Sequence, residues 1–305
     1  MEIKDKFKQY IEENYNTTFL ENAALIDKDA KKDFKRDMLE GIDKLFELKD
    51  KYKNKPALIM GLGPSLLEID KKKYDKHVKL TCNHFHRVPD FFDDSFKPDF
   101  WCAANSYAEL RVPFEICLER DIDIFLTIPI RLEFNAMLRH ARAAGKMHLV
   151  NPWMWEQQVF QHLIAYKFNF AQIYTRCNTI TNHMIAFAFW LGCNPISIAG
   201  FDLSYRNALE EKGTTHAGFN DDWIEEDNSV LGNNAFDQIQ ERGQILADLY
   251  YMACLAEVSD TKLINLSHEY NGLPKEITNK LTPTQMTELS KLRKKIKKRI
   301  TIEAD

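Results

Sequence analysis

The sequence predicts an α/β protein built on a doubly wound, mostly parallel sheet. Three observations carry that expectation. Short apolar runs recur from residue 57 to residue 266, and stretches of helical period lie between several of them. The chain is 305 residues long, enough for one large domain with extensions. Hydrophobic residues make up 45% of it, so a substantial core can be buried and a disordered chain is excluded.

The candidate strands are residues 57–60, 78–82, 100–103, 122–128, 147–150, 196–199 and 262–266. Each is short and apolar, as strands covered on both faces should be. Residues 132–144 and 182–191 read as helices between them, and no internal repeat is present. The alternation makes the sheet Rossmann-like, and in such sheets ligands bind beyond the carboxyl ends of the strands.

The flanks differ in composition. Residues 1–52 are rich in Lys, Glu and Asp, with Met38, Ile42, Leu45, Phe46 and Leu48 at helical spacing. They read as a helical extension that packs on the main domain or pairs with another chain, which leaves a homo-oligomer open. The α/β domain covers residues 53–275. Residues 276–305 read as a basic amphipathic C-terminal helix, with Leu289, Leu292, Ile296 and Ile300 on one face and dense Lys and Arg over 291–299. That pattern suits either an anionic membrane surface or solvent.

The net charge of −4 argues against nucleic acid as a partner. The cysteines, Cys82, Cys102, Cys117, Cys177, Cys193 and Cys254, form no CxxC pair. They read as free thiols in a reducing compartment. The charged N-terminus lacks the apolar segment of a signal peptide. No run reaches the roughly 18 apolar residues of a membrane span. The expected location is cytoplasmic or peripheral on the inner face of the membrane.

Chemistry concentrates after the first strand. Gly61-Leu62-Gly63-Pro64-Ser65 follows residues 57–60 and reads as strand, tight turn and helix start. Glycines there permit unusual backbone angles and close approach by a ligand, and Ser65 can cap the helix beginning at Leu66. Backbone N–H groups at such a turn suit a phosphate. The loop is neither GxGxxG nor a P-loop, so a nucleotide site and an ordinary strand–helix turn both fit it.

Gly61-Leu62-Gly63-Pro64-Ser65-Leu66 resembles the G-x-G-P-S-L loop of two related groups. One is the small α/β type of bacterial CMP-sialic acid transferase. The other is the MptE-like domain of archaeal 6-hydroxymethylpterin pyrophosphokinases and of the Maf motility-associated flagellin glycosyltransferases. The resemblance spans roughly residues 53–275. It is supported by Thr81-Cys82-Asn83-His84-Phe85, by Lys97-Pro98-Asp99-Phe100-Trp101, by 180–192 with 195–205, and by Thr215-His216-Ala217-Gly218.

The resemblance implies a nucleotide-binding catalytic domain and a set of site residues. Gly61, Gly63, Pro64, Ser65, Asn83 and Asn105 would face the nucleotide, and Asn178 and Thr181 fall where the families place donor-binding polar groups. Asn105 matches the sialyltransferases, whereas pyrophosphokinase-like members carry a metal-binding acid there. The chain departs from the sialyltransferases at Leu62, where they carry Asn.

The acid–base candidates follow from position and chemistry. His216 lies in a Gly/Thr loop after strand 196–199 and is the candidate base, since histidine titrates near neutral pH. Asp202 follows Gly200 at the end of that strand and could hold a sugar hydroxyl, orient a base, bind Mg²⁺ or cap a turn. Tyr205 could donate to a leaving phosphate, or pack in a core. Arg176 could pair with a phosphate or a sugar carboxylate, or form a surface ion pair.

Other motifs rank lower. Asp121-Ile122-Asp123 matches D-x-D but precedes a strand, the wrong edge for a ligand. His84 and His86 have strand spacing that would align both rings, yet no third metal ligand is evident. Pro152-Trp153-Met154-Trp155 reads as packing or an acceptor platform, and residues 221–227 as a solvated loop or lid.

The expected function is transfer of a sugar from a nucleotide donor, CMP-linked by preference, to a surface glycan or protein, with no cofactor required. One alternative is an ATP- and Mg²⁺-dependent diphosphotransferase resembling 6-hydroxymethylpterin pyrophosphokinase. Another is a non-catalytic scaffold whose terminal helices bind partners.

Overall fold

The computed structural model describes residues 46–103, 111–126, 147–149, 180–202 and 259–278, with isolated positions 5, 40, 43, 44, 249, 252, 253, 256 and 257. Within them lies a seven-stranded sheet of order β5-β4-β3-β2-β1-β6-β7. The strands are β1 (Ala57–Met60), β2 (Val78–Cys82), β3 (Phe100–Ala103), β4 (Asp123–Leu126), β5 (Met147–Leu149), β6 (Ile196–Ala199) and β7 (Leu263–Asn265). Every neighbouring pair runs parallel.

The sheet is doubly wound. From β1 the chain steps outward through β2 to β5, then returns to the other side of β1 as β6 and β7. The winding reverses between β1 and β6, and a crevice opens at such a switch point beyond the strand ends.

Burial explains the strand pattern. All four residues of β1, β3 and β6 are buried, so no polar alternation appears. Lys79 is the exception inside β2. Its ammonium donates to Asp75 O at 3.2 Å and His77 O at 3.3 Å and lies 5.5 Å from the Phe96 ring centroid.

Helix α1 (Arg111–Glu119) precedes β4 and buries Pro113, Phe114 and Cys117. Helix α2 (Ile180–Trp190) is apolar nearly all round, and its residues from Thr181 to Trp190 are buried. Phe187 anchors it to the sheet, stacked on Phe125 with centroids 4.1 Å apart and edge-on to Phe100 at 5.2 Å. Cys82, Cys102, Cys117 and Cys193 are buried within this core as thiols, with no disulfide among them.

Residues 46–55 pack against the end of α2. Asp50 N donates to Trp190 O at 3.0 Å, Tyr52 N to Leu191 O at 2.9 Å and Asn54 N to Gly192 O at 2.9 Å. Asn194 N donates to Lys55 O at 2.8 Å, next to the start of β1. The carboxyl end of α2 therefore sits at the amino edge of the sheet. Its amino end, with Thr181, points toward the edge where strands finish.

The outer edge at β7 is covered. Residues 275–277 run antiparallel to it, with Asn265 N donating to Lys275 O at 2.7 Å and Ile277 N to Leu263 O at 3.1 Å. Pairing of this kind blunts an otherwise exposed sheet edge.

Candidate functional site

The β1 and β6 loops meet at the switch point. Gly61 N donates to Ala199 O at 2.9 Å and Gly63 N to Gly200 O at 3.0 Å, extending the ladder past both strands. The backbones approach so closely that only hydrogens fit between them. A Cβ on Gly61 would overlap Gly200 O and lie 3.0 Å from Gly200 C. One on Gly63 would overlap the Asp202 carboxylate and lie 2.9 Å from Gly200 O.

Close packing is thus what requires Gly61 and Gly63. The expected unusual backbone angles belong elsewhere: Gly63 has φ −68°, and the left-handed residue of the pair of loops is Gly200 at φ 64°. The Ser65 cap also needs correction. The loop leads into a short 3-10 turn, Pro64–Glu68, whose cap position is Gly63 with no side-chain cap. Pro64 starts that turn with no N–H to satisfy.

Ser65 instead points across the crevice wall to Asp202. Its N–H donates to Asp202 Oδ2 at 3.0 Å, and its hydroxyl donates to Asp202 Oδ1. Ser267, two residues beyond β7, places its Oγ 2.8 Å from Ser65 Oγ and accepts from Phe201 N–H at 3.1 Å. Ser65 spends its one proton on the carboxylate, and the Ser267 hydroxyl stands within reach of both Ser65 Oγ and the same carboxylate. A buried hydrogen-bonded chain links Phe201 N–H, Ser267, Ser65 and Asp202.

Two asparagines hold that chain from behind. Asn271 Nδ2 donates to Phe201 O at 2.8 Å, and Asn265 Oδ1 accepts from Ser267 N at 3.1 Å. Asn265 and Asn271 exchange amide hydrogen bonds at 3.0 and 3.1 Å. Ser65, Asp202, Ser267, Asn265 and Asn271 are all buried. Burial pushes the Asp202 carboxyl above its ordinary value, against the hydrogen bonds from Ser65 and Ser267, which pull it down.

Asn83 follows β2, the strand beside β1. It has φ 39°, a region asparagine tolerates better than most residues. Its N–H donates to Cys102 O at 3.0 Å, and its carbonyl accepts from Trp101 Nε1 at 2.8 Å. The backbone is therefore pinned. Its side-chain Oδ1 is buried and has no hydrogen-bond partner among the described residues. Such an acceptor is costly unless a ligand or water satisfies it.

His84 and His86 follow, with rings 5.9 Å apart. They sit at a 3-10 turn, Phe85–Arg87, rather than on a strand, because β2 ends at Cys82. Burial first, then nearby Arg87, lowers His84 to about 4. Burial, His84 and Arg87 lower His86 to about 4. Both rings are neutral at neutral pH. Among the described residues no group of His, Cys, Asp and Glu could hold a metal ion. Asp121 and Asp123 lie at the amino end of β4, opposite the crevice.

The structure brings Gly61, Gly63, Pro64, Ser65 and Asp202 together, with Asn83 and Thr181 at the same edge of the sheet. Asn105, Arg176, Asn178, Tyr205 and His216 lie outside the described residues, as do Pro152–Trp155 and residues 221–227. Gly200, Asn265, Ser267 and Asn271 were missed. Their available signal was position, since all but Asn271 stand at or directly after the end of a strand.

No family model matches this chain, and no curated protein matches it. Among solved structures it is similar to the sialyltransferase CstII from Campylobacter jejuni in complex with a substrate analogue, cytidine-5'-monophosphate. That likeness has 19% identity, a TM-score of 0.44, and covers 75% of this chain and 89% of that one. The same sialyltransferase with a trisaccharide acceptor and CMP gives 18% identity and a TM-score of 0.42, over 74% of this chain and 89% of that one. An α-2,3-sialyltransferase from Campylobacter jejuni in apo form gives 16% identity and a TM-score of 0.40, over 77% and 87%.

Proposed function

We propose that the chain is a glycosyltransferase that takes a nucleotide-activated sugar, CMP-linked by preference, in the crevice between β1 and β6. The observation that carries this reading is Asn83. A pinned asparagine at the end of β2, beside the glycine loop of β1, holds a buried acceptor that no described residue satisfies. An amide can pair with a base amino group or a ribose hydroxyl. The order of the glycine loop, Asn83 and the Gly200–Asp202 turn along the chain supports the sialyltransferase-like reading, in which the acceptor is a glycan or protein.

In this reading the Asp202 carboxylate already occupies the Ser65 N–H. The loop therefore serves the nucleotide by shape, with Gly61 and Gly63 letting the β1 loop seat against Gly200 and Asp202 at the crevice floor. His216 is the base for the acceptor hydroxyl, with Tyr205 and Arg176 near the departing phosphate, all on the expectations stated above.

A thermal-shift screen against CMP, CDP, UDP, GDP and ATP, each with and without Mg²⁺, tests it. A ligand that binds only the folded state at one hundred times its Kd adds about 2.7 kcal/mol. We expect CMP to raise the Tm without metal and Asn83→Ala to abolish that rise. A rise with ATP and Mg²⁺ alone would transfer the reading to a diphosphotransferase, and no rise with any nucleotide to a scaffold.

The basic stretch 291–299 extends the proposal to a site of work beside an anionic membrane. The expected result is co-sedimentation with phosphatidylserine vesicles that is lost at high salt and on removal of residues 284–305. Equal sedimentation by the truncated chain would sink that extension.

A further inference from the structure

We propose that Ser267 is a positioning residue for the nucleotide crevice, acting through Ser65 and Asp202 to set the spacing of the two glycine loops. The proposal rests on the nucleotide-binding reading above and adds to it a residue far along the chain from either loop.

The argument begins with what holds the crevice wall. The β1 and β6 loops touch through glycines, which contribute no side-chain contacts of their own. Among the described residues two backbone hydrogen bonds join them beyond the strands, Gly61 N to Ala199 O and Gly63 N to Gly200 O. The remaining link is the Ser65–Asp202 pair. Ser267 is the third member of that link and is fully buried. It engages both loops at once: Ser65 Oγ of the first and Phe201 N–H of the second.

Ser267 is itself held in place. Its own N–H donates to Asn265 Oδ1 at 3.1 Å, and Asn265 is bonded to Asn271, which donates to Phe201 O. The hydroxyl thus reports the position of β7 to the floor of the crevice. If it is removed, Phe201 N–H loses its acceptor, and Ser65 and Asp202 lose the hydroxyl that ties them to β7. Chains of this kind strengthen one another in a low-dielectric setting. The β1 loop is then free to turn about Gly63, and the crevice loses its preorganised width.

The chemistry specifies what a substitution should do. Cysteine at 267 keeps the size and a weak donor, whereas alanine removes the group altogether. A purely structural role would lower the Tm and leave ligand affinity alone. A positioning role changes affinity beyond what lost stability explains.

The experiment is calorimetric titration of the full chain with CMP, and with ATP plus Mg²⁺, for the wild type, Ser267→Ala, Ser267→Cys and Leu263→Ala. Leu263 is a buried residue at the other end of β7 and serves as the stability control. We expect Ser267→Ala to raise the nucleotide Kd at least ten-fold. Ser267→Cys should fall between it and the wild type, and Leu263→Ala should bind as the wild type does while melting at a lower temperature. If Ser267→Ala does not fold, Ser267→Cys carries the test alone, and a Kd within two-fold of the wild type overturns the proposal. Equal weakening in Ser267→Ala and Leu263→Ala also overturns it. Failure of the wild type to bind either nucleotide is a different result: it removes the nucleotide reading, and this inference with it.

Discussion

Gly200→Ala should destabilise the protein by about 2–5 kcal/mol and abolish nucleotide binding. Two costs combine. At φ 64° an alanine pays about 1–2 kcal/mol for the left-handed backbone. Its Cβ would also overlap Gly61 O and come within 2.7 Å of Gly61 C, backbone atoms that cannot rotate away. Overpacking of that sort costs about 1–3 kcal/mol. The only relief is to part the two loops, which breaks the Gly63 N to Gly200 O bond and pulls Asp202 from Ser65. Gly272→Ala separates the two costs. Gly272 has φ 68° and nothing within 4 Å of its missing Cβ, so it should lose only the backbone share. Urea melts of both variants decide the matter: equal losses would mean that the loops are not in obligatory contact.

The contrast between those two glycines shows where sequence reading runs out. The strands were legible because a parallel strand buried on both faces is a continuous apolar run. Ala57–Met60, Val78–Cys82, Phe100–Ala103 and Ile196–Ala199 match their expected limits, and all neighbours proved parallel. Strand β4 begins at Asp123 rather than at residue 122, because Ile122 N–H is spent on Cys117 O where the chain leaves α1. Helix α1 went unmarked. It buries only Pro113, Phe114 and Cys117, and Pro113, which suits the first turn, reads as a breaker where no helix start is marked before it.

The site was legible in part. A glycine loop after the first strand is a local signal, and so is a polar residue after the second. The reason for the glycines was not local. It depends on Gly200, and no spacing rule predicts which backbone will lie against which. The same limit hid Ser267, which lies 202 positions from its partner Ser65. Strand order alone brings β7 next to β6, and only then do Asp202 and Ser267 share a partner.

Asp202 offers the second large effect. Asp202→Ala should cost about 2–4 kcal/mol, because it strips the acceptor from a buried N–H and from a buried hydroxyl of Ser65, each worth about 1–3 kcal/mol when left unsatisfied. The Ser65 hydroxyl can still turn to Ser267, which keeps the sum below its maximum. Asp202→Asn is the informative comparison. Its amide oxygen accepts the Ser65 N–H, its Nδ2 donates to Ser65 Oγ, and Ser65 then donates to Ser267. The reversed chain keeps both partners of Ser65 and turns the Ser267 proton away from it, so the loss should stay below that of Asp202→Ala. This variant also resembles the protonated acid, which gives the pH dependence a definite sign. Burial raises the folded carboxyl above the ordinary value of 3.8, so the native state binds the proton more tightly than the unfolded chain does. Stability from this group is fully present below that ordinary value and declines as pH rises from there through the folded value. Subtracting the Asn variant removes what other groups contribute. The difference in unfolding free energy, wild type minus Asp202→Asn, should fall across that window and level off above it. A difference that rises with pH would mean that Ser65 holds the carboxylate ionised more strongly than burial opposes it.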